Sequence, residues 1–155
     1  MNIDFPRLIQ ELAVNLQQPL MDPVEDACRI SWDNVDMHVY YHDDNGENLV
    51  ILTLDIGEIP AGAEQRVFLL MLQANYLWIA SEYATLSINP ESNRVAICDK
   101  YNAELVNAEQ LTERVKKLYQ AAVYWQEIIA DEAQHTATEG VSIKAGFEND
   151  FAIKI

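Results

Sequence analysis

The chain is poor in the residues that most often announce chemistry. Two cysteines, Cys28 and Cys98, stand far apart in 155 residues, which excludes a disulfide framework and a cysteine-rich metal site. Both lie in strand-like runs, where a reduced thiol packed as a small apolar group is the expectation. Five glycines make no glycine-rich phosphate loop, and no Gly-x-Ser-x-Gly elbow occurs. Basic residues are scarce: 10 against 25 acidic ones leave a formal charge of -15. That charge repels phosphate backbones and anionic lipid headgroups, so nucleic acid is excluded as a partner. No apolar run reaches the roughly 18 residues of a membrane span, so no membrane insertion is expected. The first residues, with Asp4 and only Arg7 as an early base, lack the pattern of a signal peptide. A cytoplasmic protein is the expectation.

Half of the residues are apolar or aromatic, enough for one domain to bury a real core. Asp4 caps a first helix over about 5–17, striped by Phe5, Leu8, Ile9, Leu12 and Leu16 and stopped by Pro19 and Pro23. From Ala27 the period becomes two. Cys28, Ile30 and Trp32 alternate with Arg29 and Ser31, then Val35, Met37, Val39 and Tyr41 alternate with Asp36, His38, Tyr40 and His42. Asn45-Gly46 supplies a tight hairpin turn. The third strand, LVILTLDI, is apolar on both faces: Leu49 and Ile51 on one, Val50, Leu52, Leu54 and Ile56 on the other.

The chain is organised around a middle helix, about 63–80. Six consecutive apolar residues, Val67 to Leu72, leave it no fully polar face. Val67, Leu70, Met71, Ala74 and Leu77 form a stripe assigned to the sheet. Phe68, Leu69, Leu72, Tyr76 and Ile79 form a second stripe, assigned to another copy of the chain. Two strands follow, about 84–89 and 94–101, joined by a Pro-Glu-Ser-Asn turn. Asn107 and Gln110 then make a capping-box pair for a last helix carrying Leu111, Val115, Leu118, Ala122, Trp125 and Ile129. Past Asp131 the periodicity fades into a linker, QHTATEG, and a tail in which Phe151, Ile153 and Ile155 alternate as in a strand. The expected fold is α+β: an antiparallel five-stranded sheet with three helices, in the order α-β-β-β-α-β-β-α and homodimeric, with residues 1–130 the domain and 131–155 a C-terminal tail, whose alternatives are a strand docked on its own sheet, an occupant of a partner's groove, or a segment that waits for cargo.

Candidate chemistry is thin. His38 and His42 share one face of a strand but stand about 13 Å apart along it, too far to hold one ion. Read as a calcium loop, DDNGEN puts Tyr41 and Leu52 at ligand positions, so it is a turn. The acidic residues of the last helix, among them Glu109, Glu113 and Glu127, read as a solvated face. No enzyme, metal or cofactor is implied. The surplus of apolar surface points to protein binding.

Three features carry a resemblance: Leu70, Leu72 and Asn75 in the middle helix, Leu86 and Ile88 before Asn89-Pro90, and the return strand opened by Arg94, Val95 and Ile97. Together with size, low pI and element order over about 5–130, they resemble the class I type III secretion chaperones, the family of the Tir chaperone. Relatives often carry glycines between the middle helix and the next strand, where this chain has Ser81-Glu82-Tyr83. The resemblance implies a bacterial cytosolic homodimer, joined through the middle helix, that holds the N-terminal segment of a secreted effector export-competent. Leu8, Leu12, Leu16, Leu49 and Ile51, apolar beyond the plainest core requirement, are the expected effector contacts. The alternative is a regulatory binding protein of anti-activator type on the same fold.

Overall fold

The computed structural model describes residues 4–44 and 46–138. Helix α1 (Phe5–Leu16) opens with the Asp4 carboxylate accepting the Arg7 backbone N–H at 3.1 Å. It closes where Gln17 turns left-handed, at φ 56°, with its N–H on the Val14 carbonyl. The strands are β1 (Leu20–Met21), β2 (Ala27–Trp32), β3 (Val35–Asp44), β4 (Glu47–Glu58), β5 (Thr85–Ile88) and β6 (Arg94–Asn102). They form one antiparallel sheet in the order β1-β2-β3-β4-β6-β5.

Six strands therefore stand where five were expected. The extra one, β1, pairs Leu20 with Ile30 and Met21 with Arg29 in the stretch between Pro19 and Pro23. Two residues are too few to show a period of two, and the flanking prolines, which have no N–H to donate, mark the limits of the segment. At the β3–β4 hairpin, Gly46 has φ 92° and its N–H reaches the Asp43 carboxylate at 3.0 Å; Asn45, the other expected turn residue, lies outside the described residues.

One face of the sheet carries Cys28, Ile30, Val35, Met37, Val39, Val50, Leu52, Leu54, Val95 and Ile97, all buried. Helices α1 and α3 (Ala108–Thr138) close it, α1 lying along α3. The capping box of α3 is formed as expected, with Gln110 N–H on Asn107 Oδ1 at 2.9 Å and Asn107 N–H on Gln110 Oε1 at 3.2 Å. Leu111, Val115, Leu118, Ala122, Trp125 and Ile129 all face the core. Beneath α3 a part-buried polar cluster joins Arg114 to Asp99 (Nη2–Oδ2 2.6 Å) and to the Tyr101 hydroxyl (Nε–O 2.7 Å), while Tyr101 O–H donates to Asp99. Burial, aided by the Asp99 carboxylate, pushes the Tyr101 hydroxyl pKa up.

Helix α3 runs past the boundary at 131, through Thr138, so the first residues of the expected linker are helical. Periodicity reports an apolar stripe and not helicity itself, and the sequence over 131–138 shows none. An ion pair from Arg66 Nε to Glu132 Oε2, 2.5 Å, ties this part of α3 to the middle helix. The expected tail strand with Phe151, Ile153 and Ile155 lies outside the described residues.

The middle helix, α2 (Glu64–Asn75), is shorter than the 63–80 expected. Leu77 and Trp78 adopt φ 64° and 54°, where a right-handed helix cannot continue. A short 3₁₀ turn, Ile79–Ser81, leads on to β5. The Asn75 side chain explains the stop. Its amide donates to the Leu86 carbonyl at 3.0 Å and accepts the Leu86 N–H at 2.9 Å, imitating a strand partner along the free edge of β5.

Candidate binding surfaces

Three regions expose apolar groups. The first is the outer stripe of α2. Val67, Met71 and Ala74 are buried and Leu70 half-buried, whereas Phe68, Leu69, Leu72 and Tyr76 are 43%, 48%, 70% and 74% exposed. The residues assigned to a second copy are thus the ones this chain leaves uncovered; the side chain of Ile79 lies outside the described residues. Full burial of one such side chain contributes about 1.5–3 kcal/mol, so covering this stripe is worth several kcal/mol to an assembly.

The second region is the turn after α2, which periodicity did not find. Leu77 was placed on the sheet-facing stripe. The helix ends two residues earlier, so Leu77 is instead 49% exposed, beside Trp78 at 49% and Tyr83 at 73%. The Tyr83 N–H closes the turn on the Trp78 carbonyl at 2.7 Å, and the Trp125 indole N–H pins it to α3 through the Ala80 carbonyl at 3.1 Å. Ser81 is fully buried, its hydroxyl donating to the Ala84 carbonyl at 2.5 Å. Leu77, Trp78, Glu82 and Tyr83 all have positive φ. Glu82 and Tyr83 fall in the Ser81-Glu82-Tyr83 stretch where relatives by the resemblance often carry glycines, and that was the available signal for left-handed backbone here.

The third region is the outer face of the sheet, away from the helices. Cross-strand neighbours Ala27, Tyr40, Ile51 and Lys100 form one row, and His42, Leu49 and Asn102 the next. Tyr40 is exposed, Leu49 and Ile51 are half-buried, and the His38 ring stacks on Tyr40 with centroids 6.0 Å apart. Leu49 and Ile51 are therefore available to a partner. Leu8, Leu12 and Leu16 are not: at 6%, 0% and 5% exposure they fill the core between α1 and the rest of the chain. A single stripe on a helix says that something covers it and cannot say whether the cover is the chain itself. The exposed apolar residue of α1 is Val14, beside an open groove between α1 and the first turn of α3.

Neither cysteine offers an activated thiol. Cys28 is buried, and burial pushes its pKa to about 11; the Cys98 thiol lies 3.0 Å from the Ser87 hydroxyl. No three His, Cys, Asp or Glu side chains gather in a metal-binding group among the described residues. No helix among them is long and apolar enough to cross a membrane.

A helical layer over one face of an antiparallel sheet, with a third helix left greasy on its outer side, defines a binding fold of α+β class. Residues 7–126 match the Tir chaperone protein (CesT) family, and the chain belongs to it. Among solved structures, a chain of the ExsC–ExsE complex is similar at a TM-score of 0.67 and 16% identity, covering 83% of this chain and 97% of that one. A chain of the HopA1–SchA chaperone–effector complex gives 0.59 and 16%, covering 79% and 93%. A chain of the ExoU–SpcU complex from the type III secretion system of Pseudomonas aeruginosa gives 0.55 and 13%, covering 79% and 94%. Among curated protein sequences, none matches significantly.

Proposed function

We propose that this chain is a type III secretion chaperone of the bacterial cytoplasm that binds the N-terminal segment of a secreted effector and keeps it export-competent. The observation that carries the reading is the family match over residues 7–126, on a domain that leaves apolar groups exposed on α2 and on the outer face of the sheet. Each surface has its own role. Phe68, Leu69, Leu72, Tyr76 and Ile79 join two copies through α2. Leu49 and Ile51 of β4, with Tyr40 opposite Ile51 on β3, receive apolar anchors of the effector on the outer face of the sheet. Binding of this kind needs no cofactor and no chemical step; its free energy comes from apolar side chains leaving water.

The test is co-purification of the tagged chain with an N-terminal effector fragment from the same bacterium. Ile51→Asp should cut retention of the fragment about tenfold or more, as expected when a charge replaces one apolar anchor, while sedimentation still shows the wild-type assembly. Stable binding to a transcription regulator and to no effector would replace this reading with a regulatory one.

A further inference from the structure

The middle of the sheet's outer face differs in charge from the rest of the chain. The row of Ala27, Tyr40, Ile51 and Lys100 is its centre, with the row of Arg29, His38, Thr53 and Cys98 on one side and that of His42, Leu49 and Asn102 on the other. These three rows contain no carboxylate, in a chain with 25 acidic residues. Acids return on this face four residues out from the central row: Asp36 and Asp55 toward one end, Asp44 and Glu47 toward the other. Four strand residues span about 13 Å, more than the screening length of about 8–10 Å at physiological salt. Asp55 is moreover held by Arg94 at 2.7 Å. The acidic ends therefore leave the centre of the face un-neutralised.

At that centre Lys100 is the charge available to a ligand. Elsewhere in the chain cations are neutralised within the molecule. Arg7, Arg29, Arg66, Arg94 and Arg114 each reach a carboxylate, Lys116 reaches Glu113, and Lys117 stands one helical turn from the same Glu113. Lys100 is exposed and has no ion pair among the described residues. Its neighbour Asp99 turns to the opposite face, where Arg114 and Tyr101 take one carboxylate oxygen; the other accepts the Lys100 backbone N–H at 2.8 Å. Strand β5 begins at Thr85, opposite Cys98, so no strand flanks Lys100 on that side.

Lys100 is also the cross-strand partner of Ile51, about 4.8 Å away between adjacent strands. An extended segment turns residues i and i+2 to the same side, about 6.6 Å apart. A segment with an apolar side chain on Ile51 thus brings its next same-side residue within reach of the lysine ammonium.

We propose that the cargo segment received on this face carries an aspartate or glutamate beside its apolar anchor, and that Lys100 pairs with that carboxylate. The inference rests on the proposed function, which places cargo here, and adds the chemistry of the cargo. A net charge of -15 alone favours a basic ligand. The local distribution reverses that preference at the anchor, where a basic residue meets Lys100 with like charge. Lys100 in this way sets which segment binds and in what register.

The experiment immobilises the full chain and selects from a displayed library of random 20-residue peptides. Peptides that lose binding to Ile51→Asp define those on this face. The expected result is that these peptides carry Asp or Glu within about two residues of an apolar one. They should bind Lys100→Gln about threefold more weakly and Lys100→Glu tenfold or more, with the difference shrinking as salt is raised. Selection against Lys100→Glu should return Lys or Arg at that position. Circular dichroism melts confirm that both variants fold, as substitutions at an exposed site should. Peptides that depend on Ile51 but bind Lys100→Glu like wild type overturn this proposal and leave the face as the cargo site. Selection of no peptide that depends on Ile51 overturns this proposal together with the placement of cargo on this face.

Discussion

Helices α1 and α2 have the same length, twelve residues each, and both are rich in leucine, yet they do opposite things with it. In α1, Phe5, Leu8, Ile9, Leu12 and Leu16 repeat at three and four, and every one is buried in the chain's own core. In α2 the apolar residues crowd into Val67–Leu72, and the helix has only one side against the sheet. Val67 and Met71 take that side; Phe68, Leu69 and Leu72 stay outside. A spaced stripe satisfies one neighbour, whereas a continuous run requires a second. The difference separates leucines that make the fold from leucines the chain leaves in water, the ones proposed above to join two copies.

The largest expected effect comes from putting the same charge into each. Leu12→Asp places a carboxylate at a position with no exposure and no partner, costing about 4–5 kcal/mol or more, comparable with the whole stability of a small domain. Circular dichroism should show loss of the cooperative melt. Leu72→Asp, at a site 70% exposed, should leave the melt of the separated chain within about 1 kcal/mol of wild type while sedimentation shifts from dimer to monomer. If both variants unfold, or if Leu72→Asp remains a dimer, the contrast between the two helices is lost.

The two helices also end differently, and a smaller effect tests that. Both close a last backbone hydrogen bond, Gln17 N–H on Val14 in α1 and Tyr76 N–H on Gln73 in α2, but α2 adds the Asn75 side chain on Leu86. Asn75→Ala should destabilise the fold by about 1–3 kcal/mol in urea titration, because it removes two hydrogen bonds and leaves the Leu86 N–H and C=O without those partners. Asn75→Asp keeps an acceptor for the N–H but faces the Leu86 carbonyl with an oxygen, so it should not restore wild-type stability.

The smallest expected effect is a pH dependence of the face that α1 and α3 cover. The buried Cys28 thiol is raised from 9.0 to about 11, and burial also raises Tyr101. Below pH 9 both states hold the Cys28 proton and its contribution is complete. Between pH 9 and 11 the unfolded chain releases that proton while the folded chain keeps it, so stability falls as pH rises. Cys28→Ala should flatten this part of the profile, measured as the urea midpoint against pH.

Much of this architecture was legible in the sequence because burial on one side imposes a period. The stripe of α1, the alternation of β2 and β3, and the Asn107/Gln110 box of α3 each appear where the residues put them. What escaped has physical reasons. Strand β1 is two residues long, too short for any period. The run of apolar residues through Leu77 and Ile79 gave no hint that α2 stops at Asn75, since the stop depends on a partner, Leu86, eleven residues away. Residues 131–138 are helical without a stripe. Of the candidate contacts, Leu8, Leu12 and Leu16 look like a surface only until α3 is laid against them, whereas Leu49 and Ile51 gave their position away by making β4 apolar on both faces.

The Asn75 amide has a bearing on solubility. A protein that shows leucines and aromatic rings to water runs the risk of stacking into polymers, and an open strand edge is the usual template for that growth. At one border of this sheet, the outward N–H and C=O of Leu86 are already taken by Asn75. At the other, β1 is cut to two residues between Pro19 and Pro23. The molecule can therefore keep its side chains sticky while offering little bare backbone for a sister molecule to copy.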